Sequence, residues 1–143
     1  MLLLITLVLA AVFSGAALLV TVAEQPARLA LEDASMLTEW RRSYDRAAPM
    51  QGGLALVTGA AGLGVWWTAG SSWALAGAVS ILACWPFVLL VVMPVNRRLK
   101  ALTPAELGEA RPLIVRWGKL HAVRTALGIA ATVAFACASY FSY

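Results

Sequence analysis

Charge is missing from the middle of this chain. Between Arg46 and Arg97, fifty consecutive residues include no Asp, Glu, Lys, Arg or His. One straight helix of that length would measure ~75 Å at about 1.5 Å per residue, against a bilayer hydrocarbon core of ~30 Å. The stretch must fold back on itself inside a membrane, and Gly70-Ser71-Ser72 near its centre is its one convincing turn. Over all 143 residues 13% are charged and 62% hydrophobic, where a soluble domain carries about 25% charged residues. The length suits one helical membrane domain, residues 1–143, with no second domain.

Other residue types are nearly as scarce. Histidine occurs once, at His121, and cysteine twice, at Cys84 and Cys137, in apolar runs without CxxC spacing. This excludes a disulfide scaffold and a Cys/His zinc site, so no metal site is expected. A haem held by two histidines is excluded by number; His121 paired with Met36, Met50 or Met93 is not. The two cysteines fall at different depths, which argues against a quinone-linked disulfide relay. No acidic or histidine chain crosses the middle of the membrane, which argues against a proton pump. The net charge of +4 comes from clusters within residues 24–46 and 97–124, with no basic stripe interleaved with aromatics. That pattern reads as membrane topology and not as nucleic-acid binding.

Four apolar stretches remain, at about residues 2–23, 52–69, 73–93 and 120–140. Each is about long enough to span, and in lipid each can only be a helix because every backbone group must be bonded internally. The first has Thr21-Val22-Ala23 as a weak cleavage signal. It lacks a positive leader, however, and exceeds the roughly 7–15 apolar residues of a signal peptide, so it is expected to stay as a span. With four spans, all eleven Lys and Arg fall on or near one side. The positive-inside rule then puts both charged loops in the cytoplasm and both termini outside an inner or plasma membrane. Trp66, Trp67, Trp73, Tyr140 and Tyr143 would form the outer aromatic belt, with Trp40, Tyr44 and Trp117 near the inner one.

The connecting segments carry their own signals. Met36, Trp40, Tyr44 and Ala48 recur every four residues, which predicts an amphipathic helix over about 32–48 lying along the inner leaflet. Thr103-Pro104-Ala105-Glu106 has capping-box spacing with Pro at the first helical position, which predicts a short helix over about 104–110. Gly59, Gly62 and Gly64 leave the second span thin enough for close approach by neighbours, within the monomer or across a homo-oligomer. Pro86 removes a hydrogen bond from the third span; an irregular bundle helix and a widened mid-membrane cavity are both compatible with it. The fold class is therefore all-α: a four-transmembrane-helix bundle with an interfacial amphipathic helix between spans one and two.

Trp117, His121 and Arg124 stand at i, i+4 and i+7, on one face where the last span begins. Ionisable groups inside a membrane usually face the bundle interior and mark function. The competing reading has Arg124 snorkelling to the inner headgroups while His121 fills a packing gap. Asn96 closes the third span and Glu24 with Arg28 closes the first, at the same expected depth. A polar pocket of Glu24, Asn96, His121 and Arg124 under Trp117 and Tyr44 is geometrically allowed, with Arg28 or Arg124 as the cation for Glu24.

Four phrases in order carry a resemblance. They are Glu24-Gln25-Pro26-Ala27-Arg28, then Trp40 with Tyr44, Arg46 and Ala47, then Pro94, Asn96 and Leu99, then Trp117, His121 and Arg124. The chain resembles, over nearly its whole length, the anthrone oxygenase-like family of small four-helix membrane proteins. The resemblance implies a cofactor-independent oxygenase acting on a small lipophilic aromatic, as its fungal members turn anthrones into anthraquinones. It implies His121 as general base, Arg124 and Asn96 as holders of a developing oxyanion, and Trp117 as a stacking surface, with Tyr44, Glu24 and Arg28 around the substrate. The alternative is a non-catalytic membrane protein that binds a small lipophilic molecule or assembles with a partner.

Overall fold

The computed structural model describes residues 1–141. Tyr143 of the expected outer belt lies outside the described residues. The chain forms α1 (Leu2–Leu19), α2 (Gln25–Leu29), α3 (Asp33–Ala69), α4 (Ser72–Leu82), α5 (Cys84–Phe87), α6 (Met93–Ala101) and α7 (Ala110–Tyr140). There is no strand among the described residues. End to end these elements make four helical rods long and apolar enough to cross a membrane. This is an all-α four-helix bundle and an integral membrane protein.

Prolines set the joints between the elements. A π-helical turn, Val20–Glu24, precedes α2, and another, Val88–Val92, precedes α6. Each ends two residues before a proline, Pro26 or Pro94. A proline offers no N–H to the carbonyl four residues back, and the helix answers by widening. The amide of Gln25 bonds Val20 and that of Met93 bonds Val88, both five residues back. Pro86 acts differently: α4 stops at Leu82, and Ala83 is a turn before α5. The third rod is thus irregular, as Pro86 foretold, and a cavity also lies beside it.

One boundary differs from the sequence reading. The amphipathic stretch and the second span form a single 37-residue helix that runs through Pro49 without a break. Met36 and Trp40 are fully buried. The apolar stripe therefore packs against Val92, Val95, Leu99, Ile114 and Trp117 of the protein, and this contact holds the segment in line with the span. The glycine at its other end, Gly70, has φ +66 and ends the helix in the left-handed conformation, which costs glycine little. Ser71 then accepts a hydrogen bond from the Ala74 amide and starts α4.

The bundle has two apolar cores. One, around Phe13, Ala55, Ile81, Ala131 and Phe135, fills the half nearer the Gly70 turn. The other, around Trp40, Leu99 and Trp117, fills the charged half. In the first, the Phe135 ring occupies a slot that only glycine leaves open. A Cβ on Gly62 would come within 2.7 Å of that ring, and one on Gly77 within 2.8 Å. Leu2 touches Gly64, and Trp73 stacks on Phe141 at 6.4 Å, so the turn and both chain ends share one end of the bundle. Trp67, Trp73 and Tyr140 are exposed there, where an aromatic belt would sit.

Arginines tie the charged end. Arg41 donates to the carbonyls of Leu99, Lys100 and Leu102, the last of these at 2.8 Å. Arg111 donates to the carbonyls of Leu29 and Leu31 at 2.7 Å and pairs with Asp33 at 2.8 Å. These donors satisfy carbonyls that a helix leaves without partners at its C-terminus. Residues 104–109 form a 3₁₀ turn opened by the Thr103/Glu106 capping box that the sequence spelled out.

Candidate functional site

Between the two cores lies a seam of polar side chains. Helix α7 carries Trp117, His121 and Arg124 on one face, as their spacing requires, and Trp117 and His121 are buried. Their rings lie 5.0 Å apart. Helix α3 supplies the facing wall: Trp40 stacks on Tyr44 at 4.9 Å and meets Trp117 edge-on at 5.9 Å.

His121 has no carboxylate partner among the described residues. Its Nδ1 lies 3.3 Å from the Thr21 hydroxyl, which also donates to the Ala17 carbonyl. Thr125 completes this group, 2.8 Å from Thr21. Nε2 makes no hydrogen bond among the described residues.

Arg124 turns inward. Its guanidinium sits inside the bundle over the Phe13 ring at 5.6 Å, and its Nε is buried with no hydrogen-bond partner. This is the opposite of a snorkelling side chain. Two cavities share Tyr44, Ala48 and Arg124 as common walls. The larger, of about 160 Å³, is closed by Gly52, Cys84, Trp85 and Met93. The smaller, of about 20 Å³, is closed by Arg28, Gln51, Trp117 and His121. The indole of Trp85 donates to the Gly52 carbonyl at 3.3 Å and bridges the third rod to α3.

Of the remaining expected site residues, Arg28 is a wall of the smaller cavity while Asn96 and Glu24 stand behind the walls. Asn96 is buried, but its amide donates to the Tyr44 hydroxyl at 3.0 Å, so it stands behind Tyr44 and is not a cavity wall. Arg28 lies over the Trp117 ring at 5.5 Å and bonds Gln25 at 3.0 Å. It pairs with Glu39 and, at 3.6 Å, with Glu24, so Arg28 and not Arg124 is the cation beside Glu24. Glu24 itself does not reach either cavity. Both cysteines are free, and Cys84 donates weakly to the Arg124 carbonyl. No group of three His, Cys, Asp or Glu able to hold a metal occurs among the described residues.

Sequence reasoning missed Thr21, Gln51 and Phe13. Gln51 stands seven residues after Tyr44, hence on the same face of α3. That spacing was available, but the interruption expected near Pro49 hid it. Thr21 and Phe13 gave no signal, because a Thr and a Phe in an apolar run are unremarkable.

A family model described as anthrone oxygenase matches residues 40–134, a stretch that includes Tyr44, Asn96, Trp117, His121 and Arg124 and leaves out Glu24 and Arg28. The anthrone oxygenase tpcL of Aspergillus fumigatus is 34% identical over 105 residues, covering 67% of this chain and 65% of that protein. The chain thus spans less than two thirds of that relative's length. No solved structure matches. A match across both walls of the seam decides the family: the chain belongs to the anthrone oxygenase-like family.

Proposed function

We propose that this protein is a membrane-embedded oxygenase that works without a cofactor on a small lipophilic aromatic of the anthrone type. One observation supports it above the others. The only histidine is buried between an indole and a cavity, held at one ring nitrogen by a threonine and unbonded at the other. An imidazole so held is a general base aimed at bound substrate.

The chemistry balances with dioxygen as the co-reactant. A methylene flanked by two aromatic rings and conjugated to a ketone loses one proton to His121 and becomes an enolate. The enolate passes its electrons to dioxygen, and a carbon–oxygen bond forms to give a hydroperoxide once the peroxide takes a proton back. Loss of the second carbon-bound hydrogen as a proton breaks the O–O bond and releases water. The net change is CH₂ plus O₂ to C=O plus H₂O. Arg124 stabilises the enolate oxygen, because a fixed cation in a site shielded from water acts strongly on developing charge. Trp117 stacks on the edge of the substrate that reaches the smaller cavity. Tyr44 lines both cavities, and Asn96 positions it. Arg28, with Glu24 behind it, fixes the far face of Trp117. The basic end of the bundle faces the cytoplasm and both termini face outward.

The test is oxygen uptake by purified protein given anthrone in detergent. Wild type consumes one dioxygen per anthraquinone formed, and His121→Ala abolishes this without loss of thermal stability. Binding of anthrone without oxygen uptake by wild type would replace this reading with that of a lipophilic-ligand binder. Equal loss of folding and activity in His121→Ala would make the histidine structural.

A further inference from the structure

Gln51 is 2% exposed, in the middle of a membrane protein, and its side-chain amide makes no hydrogen bond among the described residues. Its amide opens on a cavity inside the membrane, where a polar group without a protein partner is costly unless something in that cavity bonds it. The side chain lines the smaller cavity together with His121, Arg124, Trp117 and Tyr44. Arg124 brings a second buried donor without a partner, its Nε, to the wall that the two cavities share. Trp40, another wall of the smaller cavity, has a buried Nε1 without a partner as well. Donors without partners around one small space that has no carboxylate among its walls call for an acceptor oxygen from outside the protein.

The larger cavity has a different character. Trp85, Val88, Leu89 and Met93 give it apolar and aromatic walls. Leu89 is 53% exposed and its neighbour Leu90 76%, so this flank of the third rod faces lipid. The widened turn at Val88–Val92 lies along the same flank. A ligand dissolved in the bilayer meets the apolar cavity first and the donors beyond it.

We propose that Gln51 is a binding residue for a planar aromatic ketone. The ligand's rings lie in the cavity beside Trp85, and its carbonyl oxygen accepts from the Gln51 amide and Arg124 beyond Tyr44. This rests on the oxygenase reading for the identity of the ligand but not on turnover. It adds a specificity element: the protein distinguishes an oxygenated three-ring system from the bare hydrocarbon of the same shape, because only the former satisfies buried donors.

The experiment measures quenching of tryptophan fluorescence in the intact, detergent-solubilised protein by two probes, anthraquinone and anthracene. Wild type binds anthraquinone more tightly than anthracene. Gln51→Leu keeps the volume and removes the amide; it weakens anthraquinone binding about tenfold, the effect of losing one hydrogen bond, and leaves anthracene binding unchanged. Retained anthracene binding shows that the cavity is intact. Unchanged anthraquinone binding, or an equal loss for both probes, overturns the assignment of Gln51 while oxygen uptake by wild type can still stand. Failure of wild type to bind anthraquinone, together with no oxygen uptake from anthrone, overturns both readings.

Discussion

The Nδ1 of His121 lies 3.3 Å from the hydroxyl of Thr21, across the contact between the first and last rods. A threonine hydroxyl has one proton to give, and that of Thr21 has the Ala17 carbonyl at 3.1 Å and the Thr125 hydroxyl at 2.8 Å to receive it. When it goes to either, Thr21 accepts from His121, Nδ1 carries the ring proton and Nε2 is the basic nitrogen. Removal of the Thr21 hydroxyl tests that arrangement. Thr21→Val keeps the shape and removes the acceptor. The expected result is a fall in kcat of about 10- to 100-fold, the size of effect seen when a partner that orients an imidazole is lost, with KM and thermal stability little changed. Thr21→Ser restores the rate. A full rate in Thr21→Val would show that the tautomer is set elsewhere.

Packing in the other half of the bundle gives a stability prediction independent of chemistry. A Cβ at residue 77 would stand 2.8 Å from Phe135 Cε1, and Phe135 is fully buried with Gly62 against it as well. Gly77→Ala should destabilise by about 1–3 kcal/mol through overpacking. Phe135→Leu alone leaves a void and is also destabilising. The double variant should recover part of the loss, because the added methyl enters the space the ring vacates. Strictly additive losses in a thermal melt in detergent would refute the slot.

Arg41 ties two rods at the charged end. Its guanidinium donates to Leu99, Lys100 and Leu102 carbonyls, which have no helical partner beyond them. A planar fork with several donors suits this cluster, and a single ammonium does not. Arg41→Ala should cost about 2 kcal/mol, with Arg41→Lys recovering only part. Hydrogen exchange of α6 and of residues 102–109 reports the effect locally. Faster exchange confined to α3 would contradict the assignment.

Some of this could be read from the residues alone, and the reasons are physical. Fifty uncharged residues leave one solvent and few folds, and the i, i+4, i+7 spacing of Trp117, His121 and Arg124 needs only helical geometry to become a shared face. The thin second span foretold close packing, and Gly59 and Gly62 meet Leu82 and Phe135. The join at Pro49 was not legible, because a proline inside a helix is a local cost that distant packing outweighs. Here Met36 and Trp40, buried against the third and fourth rods, hold the segment straight. Nor could periodicity tell that Asn96 would spend its amide on Tyr44, since that pairing depends on where two rods cross. The inward turn of Arg124 had the same cause: its depth was readable, but its direction depends on the Phe13 ring across the bundle.

Acid should act first on the connection between the third and fourth rods. Glu106 accepts from the Thr103 amide at 3.0 Å and hydroxyl at 2.8 Å, and from Arg98 at 3.1 Å. The Thr103 amide, then its hydroxyl and then Arg98 hold this carboxyl down at about 2, below the ordinary 4.5. Because the folded value is the lower one, the contribution to stability is complete above the ordinary value and disappears as pH falls from there toward 2. The residue is half-exposed and lies outside the spans, so the effect is local: the 3₁₀ turn at 104–109 opens while the spans persist. Hydrogen exchange at Glu106 and Leu107 should accelerate between about pH 5 and 2 relative to the intrinsic exchange rate, following the depressed carboxyl. Glu106→Gln should remove the pH dependence and leave the turn partly open throughout. An acid response that persists in Glu106→Gln would refute the assignment to this carboxyl.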